Sequence, residues 1–520
     1  MIPNKDFRVL LVYPNLSMML TPSCSVGIFT RILKSLGYNI DFFDCTPYDH
    51  NLEFLGEPLP VTRAKRLLNS RTFDAASLFG DPKTDLIGDF TKRLEDFKPH
   101  AVIFSTLVED TWPQQIDLLN VIKDYPEISH IVGGVFTIMA PEVVINHPAI
   151  QCIGTGEGEE VVEEFCESVR AGIRPTNIKG TWAKTKDGQI VKNPARPLVN
   201  INKVLPDYSL FDERRFLRPL GAKIWKAVSI ETYRGCPYTC TFCNSPTKNV
   251  IAKEAGQGNY LRRKSIAVLR EEIKGMIDDY NAEFLYINDD AFMARPRSEI
   301  MEFCEMYKEF MIPFWFQTRF EDIDTPTLEA LKKVGCYRIS FGLEHGNEEF
   351  RKVRLYRNIS NEKILEKSRV VADVGIPYTV NNIVGMPYET RELLFDSIEF
   401  IRQINTWDAL SINTFVPYHG TLLRKMAIKE GWLNPERQTT SVISESILEM
   451  PPPYLNSKEI LGLVKTFPLY ARFPKSRYDE IRKAEVEGEE DNKIFEKLSK
   501  EWYEMTYGTD EADRMLRYKT

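Results

Sequence analysis

Short apolar runs alternate with helix-like stretches over the first third of the chain. The candidate strands are Arg8–Tyr13, Asn39–Phe43, Ala101–Thr106, His130–Val132 and Gln151–Ile153. Helical patterns lie between them, including Ile28–Leu36, which Gly37 ends, and Thr111–Lys123, which carries Pro113 in its first turn. Because strands that alternate with helices form parallel sheets covered on both faces, residues 1–170 are predicted to form a doubly wound, Rossmann-like α/β domain.

A second series of the same kind begins after a proline-rich stretch. Residues 171–226 contain five prolines and the turn Lys186-Asp187-Gly188, which predicts a linker with local β structure. The candidate strands that follow are Ala227–Thr232, Phe284–Asn288, Phe314–Gln317, Tyr337–Phe341, Tyr378–Ile383 and Ala409–Thr414. Six β/α units predict a partial (β/α)6 barrel over residues 227–430, with its chemistry at the carboxyl ends of the strands. Residues 431–520 are predicted to form a mostly helical C-terminal cap.

Composition and charge narrow the class of protein. The chain has 520 residues and a formal net charge of −7, which argues against a nucleic-acid partner, because such proteins carry a basic face. The N-terminal apolar run Val9–Tyr13 is too short for a signal-peptide core or a membrane span. Nine cysteines, three of them within eight residues, fit a reducing compartment and a metal site better than a disulfide framework. These features predict a cytoplasmic protein without a membrane span.

Cys236, Cys240 and Cys243 directly follow a candidate strand, so their thiolates are expected at the mouth of the predicted barrel. Thiolates are the usual ligands of iron–sulfur clusters, normally four of them, and only three are grouped here. A cubane held by three cysteines keeps one iron open for a substrate or cofactor. A structural zinc site is the alternative, but it usually needs a second Cys or His pair, and no matching pair lies nearby in the sequence.

The cysteine spacing resembles the CxxxCxxC signature of the radical S-adenosylmethionine superfamily, and the whole chain resembles its cobalamin-binding branch. The resemblance implies that Cys236, Cys240 and Cys243 bind a [4Fe-4S] cluster and form the catalytic centre. The open iron would chelate the amino and carboxylate groups of S-adenosylmethionine. Phe242 resembles the aromatic residue that packs near the adenine in this family, and ordinary loop packing is its alternative role.

Two loops of the predicted barrel resemble the family's contacts with the methionine moiety. Asn288-Asp289-Asp290 stands where many relatives carry Gly-Gly-Glu, and it resembles the acidic version common in the cobalamin branch. A carboxylate there would accept hydrogen bonds from the methionine ammonium, whereas helix capping by Asp290 is the alternative. Gln317 and Arg319 end the third strand of the barrel. Arg319 is expected either to pair with the methionine carboxylate or to form a structural salt bridge.

Three later loops resemble the family's contacts with adenosine and substrate. Ser340 and Glu344 end the fourth strand, and Glu344 matches the residue expected to hold the ribose hydroxyls, with a surface ion pair as its alternative. Gly385 follows the fifth strand and Pro417 the sixth, in loops that resemble those closing on adenine and substrate. Two histidines in these loops stay open as acid–base or structural residues: His345 and His419.

Small residues follow three strands of the predicted N-terminal domain, at the edge where open α/β sheets bind ligands. Together they resemble the cobalamin-binding domain that precedes the barrel in this branch, although turn formation explains any one of them alone. These residues are Ser105, Thr106, Gly133, Gly134, Gly156, Glu157 and Gly158. No histidine stands in an Asp-x-His-x-x-Gly loop. The resemblance therefore implies His-off cobalamin with its tail in the sheet; a domain that kept the fold and lost the cofactor is the alternative.

The resemblance implies a methyltransferase that acts on an unactivated carbon of a small-molecule substrate. A 5′-deoxyadenosyl radical would remove hydrogen, methylcobalamin would donate the methyl group, and a second S-adenosylmethionine would remethylate the cobalt. An external electron donor of the flavodoxin or ferredoxin type would reduce the cluster. Two alternatives stay open: a cobalamin-binding radical enzyme that catalyses cyclisation, rearrangement or oxidation, and a corrinoid and iron–sulfur carrier without catalysis. The substrate itself is not identified by the sequence.

Overall fold

The computed structural model describes residues 1–16, 21–48, 53–54, 57–58, 78–106, 109–221, 223–404, 406–439, 441–442, 444–486 and 488–507. The chain forms two compact units. Of the described residues, the first unit comprises those within Met1–Pro60, Ala75–Arg218 and Thr247–Gly275, and the second comprises those within Pro219–Pro246 and Met276–Thr520. Each unit is built around one seven-stranded sheet.

The first unit contains a sheet in the strand order β2-β1-β5-β6-β7-β8-β9. Its strands are β1 (Arg8–Tyr13), β2 (Asn39–Asp44), β5 (Ala101–Thr106), β6 (Ser129–Gly134), β7 (Cys152–Gly154), β8 (Thr181–Lys184) and β9 (Ile190–Lys192), and a separate antiparallel pair is formed by β3 (Glu53–Phe54) and β4 (Glu57–Pro58). Strands β2 to β7 of the sheet pair in parallel, and β8 and β9 add antiparallel strands at one edge. The order reverses between β1 and β5, which makes their carboxyl ends the expected ligand site.

The helices of the first unit lie between its parallel strands. They are Cys24–Ser35, Leu86–Phe97, Trp112–Ile122, Val135–Met139, Pro141–Asn146 and Glu159–Arg170, with 3-10 turns at Asn4–Asp6, Glu109–Thr111 and Glu213–Phe216. The first helix ends before Gly37, which takes φ +74°, as the sequence predicts. The predicted doubly wound domain is therefore confirmed. The predicted turn at residues 186–188 joins β8 to β9, and this hairpin extends the first sheet.

The second unit contains a sheet in the order β10-β11-β14-β15-β16-β17-β18. Its strands are β10 (Leu217–Leu220), β11 (Lys223–Ile230), β14 (Phe284–Ile287), β15 (Phe314–Thr318), β16 (Cys336–Glu344), β17 (Tyr378–Val384) and β18 (Ala409–Thr414). The short strand β12 (Tyr233–Arg234) belongs to the second unit, and the short strand β13 (Arg262–Arg263) belongs to the first. The six strands from β11 to β18 in the sheet pair in parallel. The predicted partial barrel of six β/α units is thus confirmed.

The helices of this half follow its strands in sequence. They are Arg297–Tyr307, Thr325–Lys333, Glu348–Arg354, Asn361–Val374, Arg391–Gln403 and Leu422–Lys429, with a 3-10 turn at Phe320–Asp322. The helices Ser245–Glu254 and Ile266–Tyr280 lie mostly within Thr247–Gly275, which belongs to the first unit. The C-terminal region is helical, as predicted, over Ser457–Arg472, Lys475–Arg477, Tyr478–Lys483 and Glu489–Tyr507. None of the helices within the described residues is long and apolar enough to cross a membrane.

The two faces of the second sheet differ in what covers them. Phe314 of β15 packs against Phe303 and Tyr307 of the helix Arg297–Tyr307, with ring centroids 5.8 and 4.9 Å apart. Along β17 and β18, buried residues alternate with partly exposed ones. Because successive side chains of a strand point to opposite faces, one face is sealed by helices and the other stays open.

The backbone at Gly134, the last residue of β6, accommodates only glycine. It takes φ +138°, and a Cβ there would lie 1.7 Å from the Thr106 carbonyl oxygen. A Cβ at Gly133 would lie 3.9 Å from the nearest atom, the Phe104 carbonyl oxygen. We therefore expect Gly134→Ala to lower the free energy of unfolding by about 2–4 kcal/mol and Gly133→Ala to change it little. Denaturant unfolding of the two variants tests this; equal stability would contradict it.

Candidate active site

The cysteine loop begins where β11 ends, and a buried carboxylate fixes its first residues. Asp289, which follows β14 and is 2% exposed, accepts hydrogen bonds from the backbone N–H groups of Thr232 at 2.7 Å and Tyr233 at 3.0 Å. It also accepts from the Thr232 hydroxyl and pairs with the Arg295 guanidinium. Burial raises the pKa of Asp289, while Arg295 and these donors favour its ionised form.

Thr241 anchors the middle of the loop, between the second and third cysteines. Its hydroxyl donates to the Arg354 carbonyl at 2.7 Å, and its carbonyl accepts from the Leu423 N–H at 3.0 Å. Its side chain is buried, with 2% of the residue exposed. The loop is therefore tied at Thr232 and at Thr241 to elements distant in sequence, so the cysteines on either side are held by a fixed backbone.

The three loop cysteines are partly exposed and lie within electrostatic range of one another. Burial, together with smaller contributions from Asp290 and the other two thiols, raises the pKa of the Cys236 thiol to about 12. The Ser245 N–H lies 3.4 Å from the Cys243 Sγ atom. Among the described residues no three His, Cys, Asp or Glu side chains converge to hold a single metal ion. A cubane makes a different demand, because each cysteine binds a different iron.

Arg319 lies against the second cysteine. Its Nη1 atom is 3.7 Å from the Cys240 Sγ atom, its guanidinium stacks over the Tyr238 ring at 3.6 Å, and it pairs with Glu321. Arg319 is 9% exposed. Burial raises the pKa of Cys240, and the charges of Arg357 and Arg319 oppose that rise. Arg319 thus forms a structural salt bridge, which is one of the two roles expected from the sequence. Its cation also lies beside the cysteine loop.

Glu344 ends β16 with φ +67°, a left-handed conformation that a glutamate adopts only at a cost. Its Oε1 atom accepts from Arg357 at 3.2 Å, and Arg357 also lies 3.6 Å from Glu321. Burial raises the pKa of Glu344, and Arg357 opposes the rise. Because Arg357 is only 2% exposed, the ion pair is internal, and the predicted surface ion pair is not what the structure places here.

Asp290 differs from its neighbour in being exposed. It accepts from the Ser245 hydroxyl at 2.8 Å, and its charge acts on Cys236. Of the two adjacent carboxylates, Asp290 is therefore the exposed one beside the cysteine loop. The Asp289 carboxylate is buried, and its oxygens accept hydrogen bonds from within the protein. Phe242 lies on the loop, partly buried, between Thr241 and Cys243.

The other predicted contacts of the barrel make the following interactions. The Gln317 amide nitrogen donates to the Asp289 carbonyl at 3.3 Å, and the Ser340 hydroxyl accepts from the Trp315 indole at 3.0 Å. Gly385 takes φ +87°, and its N–H donates to the Glu389 carboxylate at 2.5 Å. The Pro417 carbonyl accepts from Arg424 at 2.8 Å. Gly385 and Pro417 thus take part in contacts that shape their own loops.

His345 is a structural residue rather than a surface acid or base. It is 0% exposed, its Nδ1 atom accepts from the Asn347 N–H at 3.0 Å, and its Nε2 atom lies 3.1 Å from the Glu389 Oε1 atom. Glu389, also 0% exposed, accepts the Gly385 N–H with its other oxygen. The pair therefore connects the loop after β16 with the loop after β17. His419 is 8% exposed.

At the reversal of strand order in the first unit, hydroxyl and amide groups meet. The Ser105 hydroxyl lies 2.8 Å from that of Ser25, and the Thr106 hydroxyl donates to the Gln115 Oε1 atom at 2.8 Å. The Gln114 Oε1 atom accepts from the Asn15 N–H at 3.0 Å. Both glutamines are 0% exposed, and neither amide nitrogen has a hydrogen-bond partner within the described residues.

The three residues of the predicted glycine loop after β7, Gly156, Glu157 and Gly158, have different surroundings. Glu157 is engaged inside the first unit, where it accepts from the Val199 N–H at 2.8 Å and from Arg262 at 2.5 and 2.9 Å. A Cβ at Gly158 would lie 2.7 Å from the Phe29 ring, so packing requires that glycine. A Cβ at Gly156 would meet nothing closer than the Gln257 side chain at 3.8 Å. Gly156 is thus the residue of this loop that leaves space above it.

Several of these residues were missed from the sequence. Thr232 lies 57 positions from Asp289, and Arg295 lies outside any motif, so nothing local signals that they share a site. Gln114 and Gln115, in contrast, could have been found from the sequence. They are adjacent polar residues in the first turns of the helix that follows β5, beside the reversal of strand order.

The two adjacent aspartates offer a matched pair of variants. Asp289→Asn leaves Arg295 buried without its counter-charge, so we expect a free-energy loss of about 3–5 kcal/mol and a loss of iron after anaerobic reconstitution. Asp290→Asn changes an exposed residue, and we expect wild-type iron content and melting temperature. Iron analysis and thermal unfolding test the pair. Full iron and stability in the Asp289 variant would contradict the positioning role.

The comparisons with known proteins agree with this geometry. The Radical SAM superfamily profile matches residues 230–401, which include the cysteine loop and the strands from β14 to β17. An uncharacterized methyltransferase of Pyrococcus horikoshii is 24% identical over 356 residues, covering 66% of this chain and 73% of that protein. An anaerobic magnesium-protoporphyrin IX monomethyl ester cyclase of Rubrivivax gelatinosus is 27% identical over 341 residues, with coverages of 63% and 59%. Cytidylyl-2-hydroxyethylphosphonate methyltransferase of Streptomyces wedmorensis is 20% identical over 511 residues, with coverages of 88% and 89%.

Two solved structures share the fold along nearly the whole chain. The cobalamin-dependent S-adenosylmethionine radical enzyme OxsB superposes with a TM-score of 0.63 at 15% identity, covering 97% of this chain and 74% of its own. The radical S-adenosylmethionine methyltransferase TsrM from Kitasatospora setae superposes with a TM-score of 0.60 at 15% identity, covering 96% and 99%. Residues 230–401 therefore match the Radical SAM superfamily, and the fold of the chain is similar to that of OxsB and TsrM.

Proposed function

We propose that this protein is a cobalamin-dependent radical S-adenosylmethionine methyltransferase that modifies an unactivated carbon of a small molecule. The observation that carries the proposal is the cysteine loop itself. Three thiols lie on a backbone tied down by Asp289 and Thr241, with the Arg319 cation beside Cys240. The loop lies within the segment that matches the Radical SAM superfamily.

The residues of the loop fit a [4Fe-4S] cluster. Cys236, Cys240 and Cys243 would hold three of its irons, and Arg319 would offset the negative charge of the thiolates. When bound, the cluster supplies the electron that cleaves S-adenosylmethionine, and the corrinoid supplies the methyl group. Asp290 would accept the methionine ammonium, because it is the exposed carboxylate next to the loop. Glu344, held by Arg357, would accept the ribose hydroxyls.

The first unit fits a corrinoid at the reversal of strand order between β1 and β5. The amide nitrogens of Gln114 and Gln115 are buried donors that lack acceptors within the described residues, and a bound ligand would supply these acceptors. The space above Gly133 and Gly156 would admit a bulky group. His130 does not suit a cobalt ligand, because it is 2% exposed and its Nε2 atom lies 2.8 Å from the Ala149 carbonyl.

The names of the similar proteins favour methyl transfer as the reaction. Two of the three curated relatives named above are methyltransferases, as is one of the two solved structures. The cyclase relative favours the second candidate, a non-methylating reaction, and the chain spans only 59% of that protein. We also propose the division of the chain given by its sequence pattern, with a cobalamin domain over 1–170, a linker over 171–226, the radical barrel over 227–430 and a helical cap over 431–520.

A cytoplasmic location and an external electron donor of the flavodoxin or ferredoxin type complete the proposal. A cluster held by partly exposed thiols needs a compartment that keeps them reduced. The donor would have to deliver single electrons to the cluster at the cysteine loop, because reductive cleavage of S-adenosylmethionine consumes one electron. Small-molecule substrates are the expected targets.

The proposal is tested by the products formed from S-adenosylmethionine. Protein loaded with cobalamin and reconstituted without oxygen would be incubated with S-adenosylmethionine and titanium(III) citrate. We expect both 5′-deoxyadenosine and S-adenosylhomocysteine, and Cys240→Ala should lose the 5′-deoxyadenosine because one iron ligand is missing. 5′-Deoxyadenosine alone would favour cyclisation, rearrangement or oxidation. Neither product, with iron and cobalt both bound, would favour the non-catalytic carrier.

The corrinoid site is tested by removing its buried amides. We expect Gln114→Leu combined with Gln115→Leu to weaken cobalamin binding at least tenfold, because two buried donors to the ligand are lost. The readout is the visible absorbance of corrinoid retained per chain after desalting. Asn120→Leu, an exposed residue of the same helix, is the matched control and should retain cobalamin. Equal retention by all three proteins would place the corrinoid elsewhere.

A further inference from the structure

The open face of β17 and β18 carries a patch of uncharged polar side chains. Thr379, Asn381, Ser411 and Asn413 are partly exposed, whereas the residues that alternate with them along each strand are buried. Two apolar residues, Ala409 and Ile383, share the partly exposed face with them. Tyr378 belongs to the buried set, and its hydroxyl lies 2.6 Å from that of Thr406, on the covered side. The four polar residues therefore point away from the helices, towards the open side of the sheet.

The strand register brings these groups together. Asn381 pairs in register with Ser411, so the two side chains lie next to each other on adjacent strands about 4.8 Å apart. The Asn413 amide donates to the Ser411 hydroxyl at 3.3 Å. The Asn381 side chain has no hydrogen-bond partner among the residues described here. The patch thus presents amide and hydroxyl groups with donors and acceptors to spare.

Toward the middle of the sheet the same face carries both neutral and charged side chains. Gln317 and Ser340 are neutral and are each held by one hydrogen bond. Arg338 and Glu344 are charged but paired: Arg338 donates to the Thr379 hydroxyl at 3.2 Å and pairs with Asp408, and Glu344 pairs with Arg357. A carboxylate or ammonium against this face would find no free counter-charge, and an alkyl chain would leave the amides without partners.

From this arrangement we infer that Asn381, Ser411 and Asn413 bind a neutral, hydroxyl- or amide-bearing part of the substrate. The inference rests on the proposed function in one respect, namely that the open face of the barrel is where the substrate lies. It narrows the substrate class, because a neutral polar group would satisfy the Asn381, Ser411 and Asn413 side chains, whereas an alkyl chain or an ionic group would not. β17 and β18 lie at the opposite edge of the parallel series from β11, which leads into the cysteine loop.

The test measures binding of small probes rather than turnover. Saturation-transfer NMR on the full-length holoprotein with S-adenosylmethionine would use three panels of fragments: neutral polyols and amides, carboxylates and amines, and aliphatic alcohols. We expect Asn381→Leu combined with Asn413→Leu to weaken binding of neutral fragments roughly tenfold, because two neutral hydrogen bonds are lost, and to spare the other panels.

Asn382→Leu is the matched control. Asn382 is the next residue on β17 but is 0% exposed on the covered face, and neither atom of its amide has a partner within the described residues. Leucine should therefore leave both the fold and the binding of neutral fragments intact. The inference fails if charged or aliphatic fragments are the ones that depend on Asn381 and Asn413, or if no fragment does. Because the readout needs no product, failure of methyl transfer would be seen separately.

Discussion

The Asp289 carboxylate fixes the point at which the cysteine loop leaves β11. It sits at the carboxyl end of the adjacent strand β14, and its oxygens accept the N–H groups of the two residues that begin the loop. A carboxylate in so buried a position requires a counter-charge, which Arg295 provides. Since the cluster must be held by three thiols at defined positions, this buried pair is the constraint on which the rest of the centre depends.

Several charged residues around the cysteine loop are likewise paired with one another within the protein, so their charges are neutralised without a ligand. Arg319 is paired with Glu321, and Glu344 with Arg357, while His345 and Glu389 connect two loops from inside. Such buried networks hold side chains in one arrangement and reduce the reorganisation needed when a ligand arrives. The groups left to act on ligands are then few, and Asp290 and the open face of β17 and β18 are prominent among them.

The candidate corrinoid site of the first unit differs from the cysteine loop. It offers open space and hydrogen-bond donors without acceptors within the described residues, rather than charged groups. Gly134 is required by the approach of the Thr106 carbonyl, whereas Gly133 beside it is required by nothing in the protein itself. The glutamines at the start of the next helix keep their carbonyl oxygens engaged and their amide nitrogens free within the described residues. A buried donor without an acceptor is costly, and a resident ligand removes that cost.

Local sequence was sufficient for the elements and for the cluster motif. The predictions gave the actual bounds of three strands: Arg8–Tyr13, Ala101–Thr106 and Ala409–Thr414. The first two are mostly apolar runs of strand length, and the third alternates apolar and polar residues. The cysteine spacing likewise showed the resemblance to the superfamily, since the three thiols lie within eight residues of the chain. What only the tertiary structure decided was which neighbouring carboxylate is internal, because Asp289 is distinguished from Asp290 by a contact with Thr232, 57 residues away. The open polar face of β17 and β18 was decided in the same way: strand register and helix cover determine it, and both depend on contacts between segments far apart in the sequence.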